Sequence, residues 1–156
     1  LNVIIARCFA FSGPYLPLNL HYALGNFVHQ AINTNEIVIN SDGRSIRSYL
    51  HLGDMVNWLI TMLTNDSEDI LFNVGSDQEI SIKSLAELVR KIVNPTANIV
   101  LLNKENYSVG NSVVNKYVPD ISKARKQFNL NPTTSLSHSI ACMKKYELQK
   151  QNKFKE

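Results

Sequence analysis

The chain has 156 residues, 44% of them hydrophobic and 19% charged, with a formal net charge of +3. A domain of that size can bury roughly 68–70% of its extended surface, so a real core is within reach. The charge is mild and gathers in the lysine-rich stretch from Lys144 to Lys155, which excludes the basic stripe of a nucleic-acid binder, and no apolar run approaches the ~20 residues of a membrane span.

Asn2 to Phe9 reads as a strand buried on both faces, in a parallel sheet, an odd opening for a natural N-terminus. Ser12-Gly13-Pro14-Tyr15 breaks it. Leu20, Leu24, Phe27, Val28 and Ala31 then form one stripe of an amphipathic helix. Ile37 to Ile39 is a short strand, closed by an Asp42-Gly43 turn. Tyr49 to Leu52 is another short strand, and Asp54 stands where a helix N-cap belongs. The segment Met55 to Leu63 is apolar on almost every side, which predicts a helix packed between layers.

Asp69 to Val74 reads as a strand ended by Gly75-Ser76. Ser81 caps a helix whose stripe is Ile82, Leu85, Leu88, Val89 and Ile92, with Pro95 beyond its end. Asn98 to Leu102 is a strand, Lys104 to Asn115 a polar loop, Ile121 to Phe128 a short helix, and Leu136 to Tyr146 a last helix. The polar residues after Gln149 are expected to fray. Alternation of strands and helices predicts an α/β fold, parallel in part. Cys8 and Cys142, far apart and among apolar neighbours, are expected to be buried reduced thiols of a cytoplasmic protein. His21 and His29 lie two turns apart on one helix, the wrong spacing for a metal pair, and no metal is expected.

Four motifs recur together in this order: Arg7-Cys8-Phe9-Ala10-Phe11-Ser12-Gly13-Pro14-Tyr15, Ser41-Asp42-Gly43 with Arg47 and Asp54, Phe72-Asn73-Val74-Gly75-Ser76, and Tyr117 to Ala124 ending near Asn131-Pro132. Across roughly residues 2 to 143 the chain resembles the extended short-chain dehydrogenase/reductases, the NAD-dependent epimerases and dehydratases of nucleotide sugars. The Arg-Cys start and Gly-Pro-Tyr ending look most like the dTDP-glucose 4,6-dehydratase branch, while 4-epimerases and decarboxylases share the rest. The family's Gly-rich NAD turn and its catalytic Tyr-x-x-x-Lys pair lie upstream of the Arg7 motif. The chain holds no such glycine fingerprint, and its one Tyr with a Lys four residues on, Tyr146 with Lys150, falls near the end.

The resemblance therefore implies the C-terminal half of a Rossmann-type enzyme: the last strands of the parallel sheet plus a small α/β substrate lobe, inactive without its N-terminal half. Residues 1–12 and 52–75 are expected to belong to the NAD-binding sheet, 13–51 and 76–149 to the substrate lobe, and 150–156 to a tail. The apolar faces left bare would favour self-association into a homo-oligomer. No catalytic residue is expected in this chain.

Arg47 matches the family arginine on the nucleotide diphosphate, a role suited to a guanidinium fork; the alternative is a surface ion pair. Asn26 is either an amide lining the nucleotide or a helix-surface amide. Asn73 either turns to substrate or satisfies local backbone groups, and Lys116 is either a phosphate cation or an ordinary exposed lysine. Asn40 stands where relatives often place an aromatic that stacks on the base. Cys8, Phe9 and Ala10, at the carboxyl end of the first strand, are the residues implied to face NAD; Ala10 replaces a usual Asn and Ser12 a usual Tyr. Beside the enzyme stand two other readings: a non-catalytic nucleotide-sugar-binding or subunit-interaction module, and a structural fragment stable only as an oligomer.

Overall fold

The structure, a computed structural model, describes residues 3–18, 20, 22–102 and 114–153. Nine strands and five helices alternate among the described residues, and their sheets are small. Strands β1 (Ile5–Cys8) and β6 (Leu71–Val74) pair in parallel, with Arg7 opposite Asn73. Strands β2 (Phe11–Ser12) and β5 (Leu50–His51) form a second parallel pair, and β3 (Glu36–Ile39) and β8 (Asn98–Leu101) a third. In the fourth sheet β4 (Ile46–Arg47) lies between antiparallel β7 (Ile80–Ser81) and parallel β9 (Lys116–Tyr117). The fold is thus α/β with parallel pairing, as the alternation implied.

Two cores hold these pieces. The first joins α1 (Ala23–Asn33), α3 (Ile82–Val93) and α5 (Leu136–Lys153) to β3, burying Leu24, Val28, Ile37, Leu85, Val89 and Ile140. Here periodicity acts as read: α3 turns its apolar stripe inward, and the Ser81 hydroxyl accepts from the Ser84 N–H at 3.0 Å as its cap. The second core packs α2 (Leu52–Thr64) and α4 (Ser122–Phe128) against β1 and β6 around Trp58, Met62, Phe72 and Val74. Ile121, Ala124 and Leu130, placed by the family layout in the substrate lobe, pack in this second core.

Several expectations change. The first strand is not buried on both faces: Ala6 packs on the second core, while Ile5, on the opposite face, is 51% exposed. Helix α2 is not sandwiched either. It buries Trp58 and Met62, while Val56, Ile60 and Leu63 form an exposed outward stripe. Its N-cap is His51, whose Nδ1 accepts from the Gly53 N–H at 3.0 Å; Asp54 lies inside the first turn, buried. Leu20 precedes α1 and is exposed.

Cys8 is exposed and Cys142 half-buried, both free thiols, so the expectation of buried cysteines fails. Cys8 ends β1 on its uncovered side, and Cys142 faces His138 one turn away at 3.4 Å. Helix α5 continues to Lys153, past Tyr146 and into the stretch expected to fray, with the Gln151 amide donating to Asn33 Oδ1 at 3.0 Å. His21 and most of the expected loop from Lys104 lie outside the described residues. Among the described residues no helix is long and apolar enough to cross a membrane, and no three metal-binding side chains come together.

Candidate nucleotide-binding site

A cavity of about 560 Å³ opens where β2, the start of α1 and β4 converge. Its wall includes Phe9, Ala10, Phe11 and Leu16 from the segment after β1, Tyr22 and Leu24 from α1's start, Ile82 from α3, and Arg47, Tyr49 and Tyr117. The wall is mostly apolar and aromatic, with Arg47 its cation among the described residues. Such a wall sets one positive charge beside apolar and aromatic surface.

Arg47 sits on the central strand of its sheet, which fixes its backbone from both sides. Its Nη1 donates to the Ile46 carbonyl at 2.8 Å, the Asn115 carbonyl at 3.0 Å and Asn115 Oδ1 at 3.3 Å. All its hydrogen bonds among the described residues leave from that one nitrogen, and no carboxylate pairs with it. The guanidinium is held by one arm, and its Nε and Nη2 donors have no hydrogen-bond partner among the described residues. Tyr49, two residues on, reports the local medium: burial pushes its phenol up to about 12, against the opposing pull of the Arg47 charge. The phenol therefore stays protonated beside the guanidinium.

On the other wall, Tyr117 is the register partner of Arg47, and its ring lies 4.9 Å from that of Phe9. Phe9 is wedged in turn against Gly75. A Cβ added at Gly75 would meet Pro119 at 2.7 Å and Phe9 at 3.1 Å. This close approach is what the glycine after β6 provides.

Of the sequence-derived residues, the structure brings Arg47, Phe9 and Ala10 to one cavity. The others lie elsewhere. Asn26 is half-buried on α1, one turn past Tyr22, and is not on the wall. Asn40 is exposed after β3. Asn73 donates through Nδ2 to the Asp120 carbonyl at 2.7 Å, tying β6 to the start of α4. Lys116 pairs with Glu79 on the surface. Cys8 is exposed at the end of β1. Arg44 pairs with Asp42 at 2.7 Å. Sequence reasoning missed Tyr22, Tyr49 and Tyr117. For Tyr49 a signal existed, since alternation along an extended segment puts it on the side of Arg47.

Residues 1–75 match the NAD dependent epimerase/dehydratase family. UDP-glucuronic acid decarboxylase 1 of Arabidopsis thaliana is 34% identical over 143 residues, covering 92% of this chain and 32% of that protein. Among solved structures, an epimerase from Methanothermobacter thermautotrophicus superposes with a TM-score of 0.82 at 21% identity, covering 99% of this chain and 46% of the other. UDP-glucuronic acid 4-epimerase from Bacillus cereus, solved in complex with UDP-glucuronic acid and NAD, gives 0.77 at 22% identity, covering 96% and 46%. The chain thus spans about a third of the curated relative and under half of the solved chains. It has the Rossmann-like fold of the NAD-dependent epimerases and dehydratases, and its first 75 residues carry that family's sequence pattern.

Proposed function

We propose that this chain is the nucleotide-sugar-binding portion of an NAD-dependent sugar-nucleotide enzyme. One observation carries the reading: Arg47, free of any carboxylate among the described residues, is anchored by one arm in an aromatic-lined cavity. In this reading Nε and Nη2 hold the diphosphate and the ring-lined wall takes the nucleoside. Asn26, Asn40, Asn73 and Lys116 lie off the cavity wall, so a share in binding would need the ligand to reach beyond it.

NAD does not fit the glycine turn present here. The Cβ position of Gly75 is filled by Pro119 and Phe9, and β6 runs on to β7 rather than into a helix that could receive a pyrophosphate. We assign NAD to an N-terminal half that completes the β1–β6 sheet, with Cys8 facing its pocket and Phe9 and Ala10 standing between that pocket and the cavity they line. Bound there, NAD would supply reversible oxidation of the sugar. The chain's own residues bind and orient the nucleotide, and it is inactive alone.

The similarity to UDP-glucuronic acid decarboxylase 1 favours a UDP-sugar and a decarboxylase. The Arg7-Cys8 and Gly13-Pro14-Tyr15 motif favours the dTDP-glucose 4,6-dehydratase instead. Joined to an NAD-binding half, the first would release carbon dioxide from UDP-glucuronic acid and the second water from dTDP-glucose. Titration calorimetry of this chain with UDP, dTDP, GDP and CDP tests the binding role. Heat with at least one nucleotide, lost in Arg47→Ala, is expected; no heat with any of the four rejects the reading.

A further inference from the structure

Tyr15 stands at φ +71°, in the left-handed region that a bulky aromatic residue adopts only under constraint. The residue is 74% exposed, so burial does not supply the constraint. The turn itself asks for it, since Tyr15 is third of the four residues Gly13 to Leu16 with Pro14 before it, and a second contact faces the ring. The ring lies 4.5 Å from that of Tyr146 on α5, inclined at 56°. The turn is closed from within by the Leu16 N–H donating to the Gly13 carbonyl at 3.4 Å.

Leu16, the next residue, faces two spaces. On one side it lines the nucleotide cavity, and on the other an outer cleft of about 390 Å³ that Tyr15, His29, Tyr146 and Lys150 also line. Leu16 is therefore the partition between the two spaces, packed on the first core from within and preceded by a residue whose ring meets Tyr146 outside. We propose that Tyr15 and Tyr146 are positioning residues: their contact holds the strained turn so that Leu16 forms the back wall of the nucleotide cavity. This inference rests on the nucleotide reading above. Neither ring touches the ligand, and the influence passes through Leu16. A positive φ on an exposed aromatic residue held against a second ring fits a positioning role.

The test measures affinity for UDP and dTDP by calorimetry alongside thermal unfolding of the same proteins. Tyr15→Phe keeps the ring contact and should bind as the unaltered chain does. Tyr15→Asn tolerates the left-handed conformation without the ring, and should bind roughly five-fold more weakly or worse while unfolding at the same or a higher temperature. Tyr146→Ala should weaken binding comparably, and the double variant no further, since one contact is lost in each. Affinity of Tyr15→Asn within about two-fold of the unaltered chain overturns the inference. A loss of affinity that merely follows a loss of stability overturns it as well. No binding by the unaltered chain overturns the nucleotide reading and this inference together, whereas binding that Tyr15→Asn leaves unmoved overturns the inference alone.

Discussion

The carboxylate of Asp54, in the first turn of α2, accepts hydrogen bonds from both the N–H and the hydroxyl of Thr133, 79 positions away in the approach to α5. Thr134 adds its own N–H at 2.9 Å and its hydroxyl at 3.4 Å. A residue expected to cap its own helix instead ties the second core to the segment that leads into the first.

That tie has a pH signature. Burial pushes the Asp54 carboxyl upward, but the hydrogen bonds from Thr133 and Thr134 outweigh it and hold the group below the ordinary 3.8. A carboxyl depressed in the folded state stabilises the fold above 3.8, and that contribution is lost as the pH falls through the lower, folded value. Asp54→Asn should cost about 1–3 kcal/mol at neutral pH, because donors at Thr133 and Thr134 lose their charged acceptor. Urea unfolding between pH 7 and pH 2 checks both: the variant should show a smaller loss of stability on acidification.

Arg47→Ala should weaken UDP or dTDP binding by about 1.5–3 kcal/mol, the scale of hydrogen bonds to a charged group, or roughly ten- to a hundred-fold. Arg47→Lys should restore part of it, since the charge returns without the fork. The uncharged nucleosides should bind all three proteins alike. Calorimetry at one fixed salt concentration separates these outcomes.

His51 caps α2 through Nδ1, which must carry no proton to accept from Gly53. His51→Ala should lower stability by about 1 kcal/mol, and His51→Asn, which offers an oxygen to the same N–H, should recover most of it. Thermal unfolding at neutral pH is the measurement.

The stripe Val56, Ile60 and Leu63, together with Val3 before β1 and Ile5 within it, leaves apolar surface open to water. At micromolar concentration the isolated chain should self-associate. Ile60→Lys with Leu63→Glu should shift it toward monomer in sedimentation velocity, with little change in nucleotide affinity. A monomer before substitution would remove self-association from the account.

What the sequence disclosed follows from what is local. The stripe of α3 and its Ser81 cap were legible because helix periodicity and capping are decided within a few residues. Arg47 could be singled out because its motif is local in sequence, and its side chain lines the cavity. Asp54 was misread because its partners, Thr133 and Thr134, are distant in sequence, and local capping rules could not anticipate them. Tyr117 escaped for the same reason: it reaches the cavity only because β9 pairs with β4. The two-sided burial expected of β1 and α2 assumed neighbours on both sides, and the described residues supply one. Residue pattern shows that a face is apolar but not what covers it.

One buried bond bears on how the chain folds. The Ser139 hydroxyl donates to that of Ser12 at 2.8 Å, across 127 positions, while Ile140 and Met143 of the same helix enter the first core. Contacts of such long span repay their loop-closure entropy only after most of the chain is in place. Folding should therefore be slow for the chain's size, and late during synthesis. Until α5 docks, β2 and the turn that bounds the cavity have no support from that side, so the cavity is among the last features to become rigid.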